Sequence, residues 1–255
     1  MARSIKRSSK TTIAASQNPH VGGHGEIAAV LGSEILSGAR QPGSRLPSVD
    51  QMFEIFGVSR VVLREVTRTL AAKGMVTSKT RVGTLVLDSS HWNWLDPQVL
   101  EWRGKLGLDK AFLQHITEVR LAVEPAAAAL AARNRTRQDL VNLRAAIRAM
   151  HDAEGHHLRF SEADLAFHVA VSVASGNPLF RSLTSATEIA LAGLLRVMSI
   201  GVIADEKTHA RSTARHVKIF DAIEARDEDA ASRAMIRVID EGVKHARTGG
   251  ASKSG

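Results

Sequence analysis

Arg60, Arg64 and Arg68 recur every four residues, and their type and spacing carry the clearest chemical implication in this chain. A guanidinium presents a planar fork of donors that fits a phosphate or the edge of a guanine, and a four-residue repeat puts successive forks on one face of a helix. Val62, Leu63, Val66 and Leu70 share another face of the same stretch, so the basic face is free to enter a major groove while the apolar face packs. Such a stripe can equally be a solvated face that only keeps a helix soluble. The distribution of charge argues for the groove. Residues 1 to 87 carry 12 Lys or Arg against 5 Asp or Glu, whereas residues 88 to 255 carry 22 against 21. A basic segment beside a neutral one is what phosphate binding with counterion release favours.

The surrounding residues supply the elements that would hold those arginines. Ser48 can cap a short helix with Met52, Phe53 and Phe56 turned inward, Gly57 gives a tight turn, and Ser59 caps a second helix running to Gly74. This is the grammar of a helix-turn-helix. Ahead of it, Ile27, Val30, Leu31, Ile35 and Leu36 form the apolar face of a helix ended by Gly38, and the Pro42 to Pro47 loop leads into the pair. Met75 to Ser78 and Thr84 to Leu87 read as two strands around a turn containing Arg81 and Gly83, a wing. The expected fold is mainly α: a winged helix-turn-helix over 25–88 behind a disordered basic arm over 1–24, and a linker over 89–108 holding Trp92, Trp94 and Trp102. The three indoles can bury enough apolar area to dock that linker. An all-α bundle follows over 109–248, with a flexible tail over 249–255. Breaks near Asn134, Gly155, Gly176 to Pro178, Gly201 and Arg226 to Asp229 divide the bundle into six or seven helices.

Composition sets the bounds. A chain of 255 residues with 44% hydrophobic content is long enough for two cores. No apolar run reaches the roughly 18 residues needed to span a bilayer, and no hydrophobic segment follows the basic start, so a cytoplasmic protein without a membrane partner is expected. The absence of cysteine excludes disulfides, zinc ribbons and thiol catalysis.

The run PGSRLPS, then FGVSR, LREVTRTLAAKGMV and GTLV, closely resembles the winged helix of GntR-type bacterial transcription regulators over residues 25 to 87. The segments EVRLAVEPAAAALAA (118 to 132), ADLAFHVAVSVASGNP (163 to 178) and HVKIFDAIEARDEDAASRAM (216 to 235) resemble the helical, FCD-type effector domain of the FadR-like subgroup. WNWLDPQVLEW is similar to the linker of repressors of galactonate and related sugar-acid operons. The resemblance implies a homodimeric, ligand-responsive repressor on an inverted-repeat operator in double-stranded DNA. It places Ser59, Arg60 and Arg64 at the DNA and the wing tip around Arg81 to Gly83 near the minor groove; Arg45, Ser48 and Arg68 join them as candidate contacts. Many relatives carry an Arg or Glu after LPS where this chain has Val49 and Asp50, so no base contact from that helix carries over.

The same resemblance implies a divalent metal, zinc or similar, held by one Asp and three His. Asp164 and His168 fit an Asp-x3-His pair on one helix face, and His216 fits the third ligand; the fourth position is Val238, which cannot ligate. Three outcomes are open: a weakly held metal completed by water or effector, His209 as substitute ligand, or no metal, with Asp164 and His168 an ordinary ion pair. Arg120, inside an apolar helix, requires a carboxylate, either that of an effector or that of Glu124 or Asp164 in a structural pair. Arg196 carries the same ambiguity. Arg120, Asp164, His168, Arg196 and His216, with almost no aromatic surface beside them, suit a small carboxylate such as a sugar acid. A metal-dependent hydrolase and a constitutive architectural DNA binder are the alternatives. The former lacks a nucleophile elbow, a phosphate loop or a distinct general base, so an enzyme is not expected.

Overall fold

The computed structural model describes residues 23–107, 110–198 and 206–249, and the side chains among them except those of 193–198 and 243–249. The basic arm, the C-terminal tail and the break near Gly201 lie outside the described residues, apart from the last two residues of the arm and the first of the tail.

Three helices make the first core: α1 (His24–Leu36), α2 (Val49–Phe56) and α3 (Arg60–Ala72). Ile27, Leu31 and Ile35 of α1 pack on Leu63, Val66 and Leu70 of α3 and Met52 of α2. Ser48 and Gln51 form a reciprocal capping box at the start of α2, Gly57 closes that helix in the left-handed conformation, and Ser59 caps α3. Two residues expected inward are not. Val30 is 39% and Phe53 42% exposed, because three short helices bury only the narrow stripe where they meet; Phe53 instead lies under Arg60, 5.5 Å from its guanidinium. The wing consists of β1 (Val76–Lys79) and β2 (Gly83–Val86), antiparallel with Val76 opposite Val86 and Lys79 opposite Gly83. Met75 and Leu87, expected in the strands, lie just outside them. The Pro42 to Pro47 loop runs along β2, pairing Arg45 with Leu85 through Leu46 N–H to Thr84 O and Val86 N–H to Ser44 O.

The linker contains a helix that the sequence reading did not place, α4 (Pro97–Lys105), capped by Asp96 with proline in its first turn. It has two faces. Val99 and Trp102 complete the first core, while Leu100 packs with Leu113, Ile116, Leu165, Ala190 and Leu191 of the helical domain. Trp102 lies so close to Gly32 that a Cβ there would stand 2.3 Å from the ring. Lys73, at the end of α3, reaches Asp96 at 2.7 Å, and its carbonyl accepts from Asn93 N–H at 2.9 Å.

Behind the linker stand α5 (Lys110–Asn134), α6 (Arg137–Asp152), α7 (His157–Ala174), α8 (Pro178–Met198), α9 (Glu206–Glu224) and α10 (Glu228–Gly249). Leu143, Met150, Phe167, Ile219, Ile223 and Met235 form their core. Among the described residues no helix is long and apolar enough to cross a membrane.

Candidate functional site

Helical spacing builds the buried site. Four residues apart on α5, Arg120 and Glu124 lie on one face; four apart on α7, Asp164 and His168 do the same; α8 contributes Glu188 and α9 contributes His216. One oxygen of Asp164 and one ring nitrogen each of His168 and His216 lie within 4.8 Å of one another. His216 Nδ1 is committed outward to Ser212 O at 2.9 Å, and His168 Nδ1 faces Glu124 Oε2 at 2.5 Å. Both Nε2 atoms are thereby turned toward Asp164, at 3.2 Å from His216 and 3.9 Å from His168, and stand 3.4 Å from each other. Burial lowers the His216 pKa, which favours the neutral ring that a metal requires. Two imidazole lone pairs and a carboxylate converging in this way repel one another unless a cation lies between them, and each ring has an outer group against its Nδ1, the Ser212 carbonyl for His216 and the Glu124 carboxylate for His168. The donor set fits a divalent metal.

Around these donors the charges form a chain. Arg120 holds Glu124 through Nε and Nη2 at 2.6 and 3.3 Å, and its Nη2 stands 3.9 Å from Glu188. Burial pushes the Glu124 carboxyl up, but His168 and Arg120 beside it outweigh that and hold it down at about 2. Glu188 shows the opposite balance: burial pushes it well above the carboxylate range despite Arg120. Burial also works against the charge on Arg120, yet Glu124 and Glu188 together raise its pKa.

The structural pairing considered for Arg120 with Glu124 is therefore present. A simple Asp164–His168 pair is not the dominant contact, since each finds a shorter one elsewhere. His209 is not among the three converging donors; its Nδ1 accepts from Gly155 N–H at 3.2 Å and its ring stacks on Phe160 at 4.1 Å, so it holds the turn before α7. Val238 is buried in the apolar core. The Arg196 side chain lies outside the described ones. Glu188 and the second role of Glu124, as the partner of a histidine, escaped the sequence reading; the available signal for Glu188 was a lone carboxylate in the apolar run of α8.

On the other domain, Arg45, Ser48, Arg64, Arg68 and Gly83 line one groove of about 1170 Å³ between α2, α3 and the wing, together with Thr67, Val82 and Thr84. Ser59 and Arg60 stand at the start of α3, and Arg81 sits in the turn between the strands at φ 63°. Arg60 Nε is paired with Asp50 at 2.9 Å and Arg68 with Glu65 at 2.7 Å, whereas Arg64 makes no ion pair with any described residue. Ser48 and Ser59 spend their hydroxyl oxygens as helix caps.

Residues 24–86 match the family model "Bacterial regulatory proteins, gntR family", and residues 115–241 match the FCD domain. The galactonate operon transcriptional repressor of Escherichia coli (strain K12) is 35% identical over 84% of this chain and 92% of its own length. The HTH-type transcriptional regulator LutR of Bacillus subtilis (strain 168) is 30% identical over 79% of this chain and 91% of its own. Among solved structures, that of Lar, which controls the expression of the Listeria monocytogenes agr system, superposes with a TM-score of 0.63 at 18% identity, covering 91% of this chain and 99% of that one, a likeness of fold.

Proposed function

Because the chain belongs to the gntR family of bacterial regulatory proteins and joins their winged helix to an FCD domain, we propose that it is a repressor released from its operator by a small sugar acid. The acid would bind beside a divalent metal in the helical domain. The observation that carries this reading is the convergence of Asp164, His168 and His216 next to Arg120. Those three side chains would hold the metal, which when bound supplies a fixed positive charge. A divalent ion beside Arg120 would give the carboxylate of a ligand two cationic partners. Val238, standing where the FadR-like subgroup has a further histidine, leaves the metal one protein ligand short and so more weakly held. The 35% identity to a galactonate operon repressor supports the same class of ligand, and the regulators found as relatives support a binding protein over an enzyme.

DNA would be read by α3, with Arg64 reaching base edges and Arg45, Arg68, Arg81 and the backbone at Gly83 following the phosphates. One such helix contacts too few bases for a genomic address, so a homodimer on an inverted repeat is the expected form. Release would travel through α4, whose Trp102 belongs to one core and Leu100 to the other, with a coupling of about 1 to 3 kcal/mol. The test is a titration of the operator complex, the operator being selected from randomised duplexes, with galactonate, gluconate, dicarboxylates and fatty acids. Sugar acids should release the parent protein, and Arg120→Ala, if its helicity is retained, should bind operator and stay bound. Release of that variant at parental concentrations, or release by fatty acids alone, would defeat the proposal.

A further inference from the structure

Among the described side chains of α8, two polar ones are buried without a hydrogen bond. Thr184 is 1% and Glu188 6% exposed, and Thr184 Oγ1 and both carboxyl oxygens of Glu188 have no hydrogen-bond partner among the described residues. They stand four residues apart, on one face of the helix. The threonine is conspicuous beside others of the same protein: Thr67, Thr117 and Thr213 each donate to the carbonyl four residues back, the ordinary refuge of a helical hydroxyl, and Thr184 does not. Among the described residues the cation that approaches Glu188 is Arg120 at 3.9 Å, and that guanidinium is already forked onto Glu124. Buried polar atoms are almost always paired, so three unpaired ones on one helix face, two of them on the Glu188 carboxyl that neighbours Arg120 and Asp164, point to a partner from outside the chain.

We propose that Thr184 and Glu188 form the wall that meets the hydroxyl groups of the effector, making the site selective for a polyhydroxylated monocarboxylate. This rests on the reading of the helical domain as an effector site, and adds to it the end of the ligand opposite its carboxylate. The chemistry divides the site in two. A ligand carboxylate is drawn to the positive charge of Arg120 and the metal. Hydroxyl groups, which both donate and accept, can satisfy a carboxyl group and a threonine hydroxyl together. An alkyl chain would leave all three oxygens unpaired, and a second carboxylate would be set against Glu124 and Asp164 with Arg120 already engaged, so fatty acids and dicarboxylates are rejected by the same wall.

The test is calorimetry on the full-length, metal-loaded protein with gluconate, galactonate, their deoxy analogues, hexanoate and adipate, in the parent and in Glu188→Leu, Glu188→Gln and Thr184→Val. Glu188→Leu should weaken the hydroxylated acids by about 10- to 100-fold while leaving hexanoate unchanged or tighter, with Thr184→Val acting in the same direction but less. The ligand-free melting temperature of Glu188→Leu should rise, because an unpaired buried carboxyl group is removed; a purely structural glutamate would make it fall. Should the leucine variant not fold, Glu188→Gln, of the same size, should still bind the hydroxylated acids more weakly than the parent. Hydroxylated acids binding both Glu188 variants and Thr184→Val at parental affinity would overturn the proposal while leaving the effector site intact. A parent that binds only hexanoate or adipate would overturn both.

Discussion

On α3 the charges stand in solvent, with the side chains of Arg60 and Arg68 62% and 78% exposed, whereas in the helical domain those of Arg120, Glu124 and His216 are 13%, 3% and 0% exposed. Exposed charges interact weakly with one another, are screened by salt, and can be replaced singly without disturbing the fold. Buried ones hold each other in place, so removing one strands its neighbours. The DNA face is therefore expected to behave as a set of separable contacts and the effector site as a unit, and each substitution below probes that contrast.

The largest effect should come from Glu124→Ala, which strips both Arg120 and His168 of their shortest partner. A loss of about 3 to 5 kcal/mol in stability is expected from denaturant unfolding, together with loss of metal. The acid limb of stability should report the same residue. Its carboxyl group, held at about 2 against an ordinary 4.5, favours the folded state fully above about 4.5, and that contribution disappears as pH falls toward 2. Glu188, pushed up by burial, has the opposite sign and removes stability as pH climbs past 4.5. In chelator-treated protein, melting curves across pH should lose the acid limb in Glu124→Gln and the neutral one in Glu188→Gln; profiles unchanged from the parent would show that the two carboxyl groups do not form a coupled site.

Next in size is Arg64→Ala, which should weaken operator binding by about 1 to 3 kcal/mol while shifting stability by less than about 0.5 kcal/mol. A melting temperature that fell with the affinity would place Arg64 among the structural residues instead. Lys73→Met should leave operator affinity near the parental value but reduce the response to effector, because the Lys73–Asp96 pair ties the end of α3 to the cap of α4. Smallest is Arg68→Ala, whose surface pair with Glu65 should contribute no more than about 1 kcal/mol to stability and whose loss should lower mainly the salt dependence of DNA binding.

The contrast also explains what could be read from sequence. Arg60, Arg64 and Arg68 were legible because an exposed stripe repeats at the period of the helix that carries it, and the caps at Ser48 and Ser59 mark its boundaries. In the helical domain, periodicity linked only Asp164 with His168 and Arg120 with Glu124; that these pairs meet each other, His216 and Glu188 depends on how four helices pack, which no local spacing encodes. A glutamate in the apolar run of α8 looks the same in sequence whether it is paired or orphaned. The helix α4 was missed although Asp96 and Pro97 are a start signal, because Trp92, Trp94 and Trp102 drew attention to docking of the linker and not to the local order within it. Phe53 was expected inward from helical period alone, which does not register that an eight-residue helix at the edge of the core buries only Met52.

Fluorescence anisotropy of the labelled operator, followed as galactonate or gluconate is added to metal-loaded and to chelator-treated protein, tests the central claim most directly. The account predicts release from the loaded protein, none from the treated protein at the same concentrations, and recovery on returning a divalent ion. Release that proceeds equally well after chelation, or operator that stays bound at saturating concentrations of every sugar acid, would contradict it.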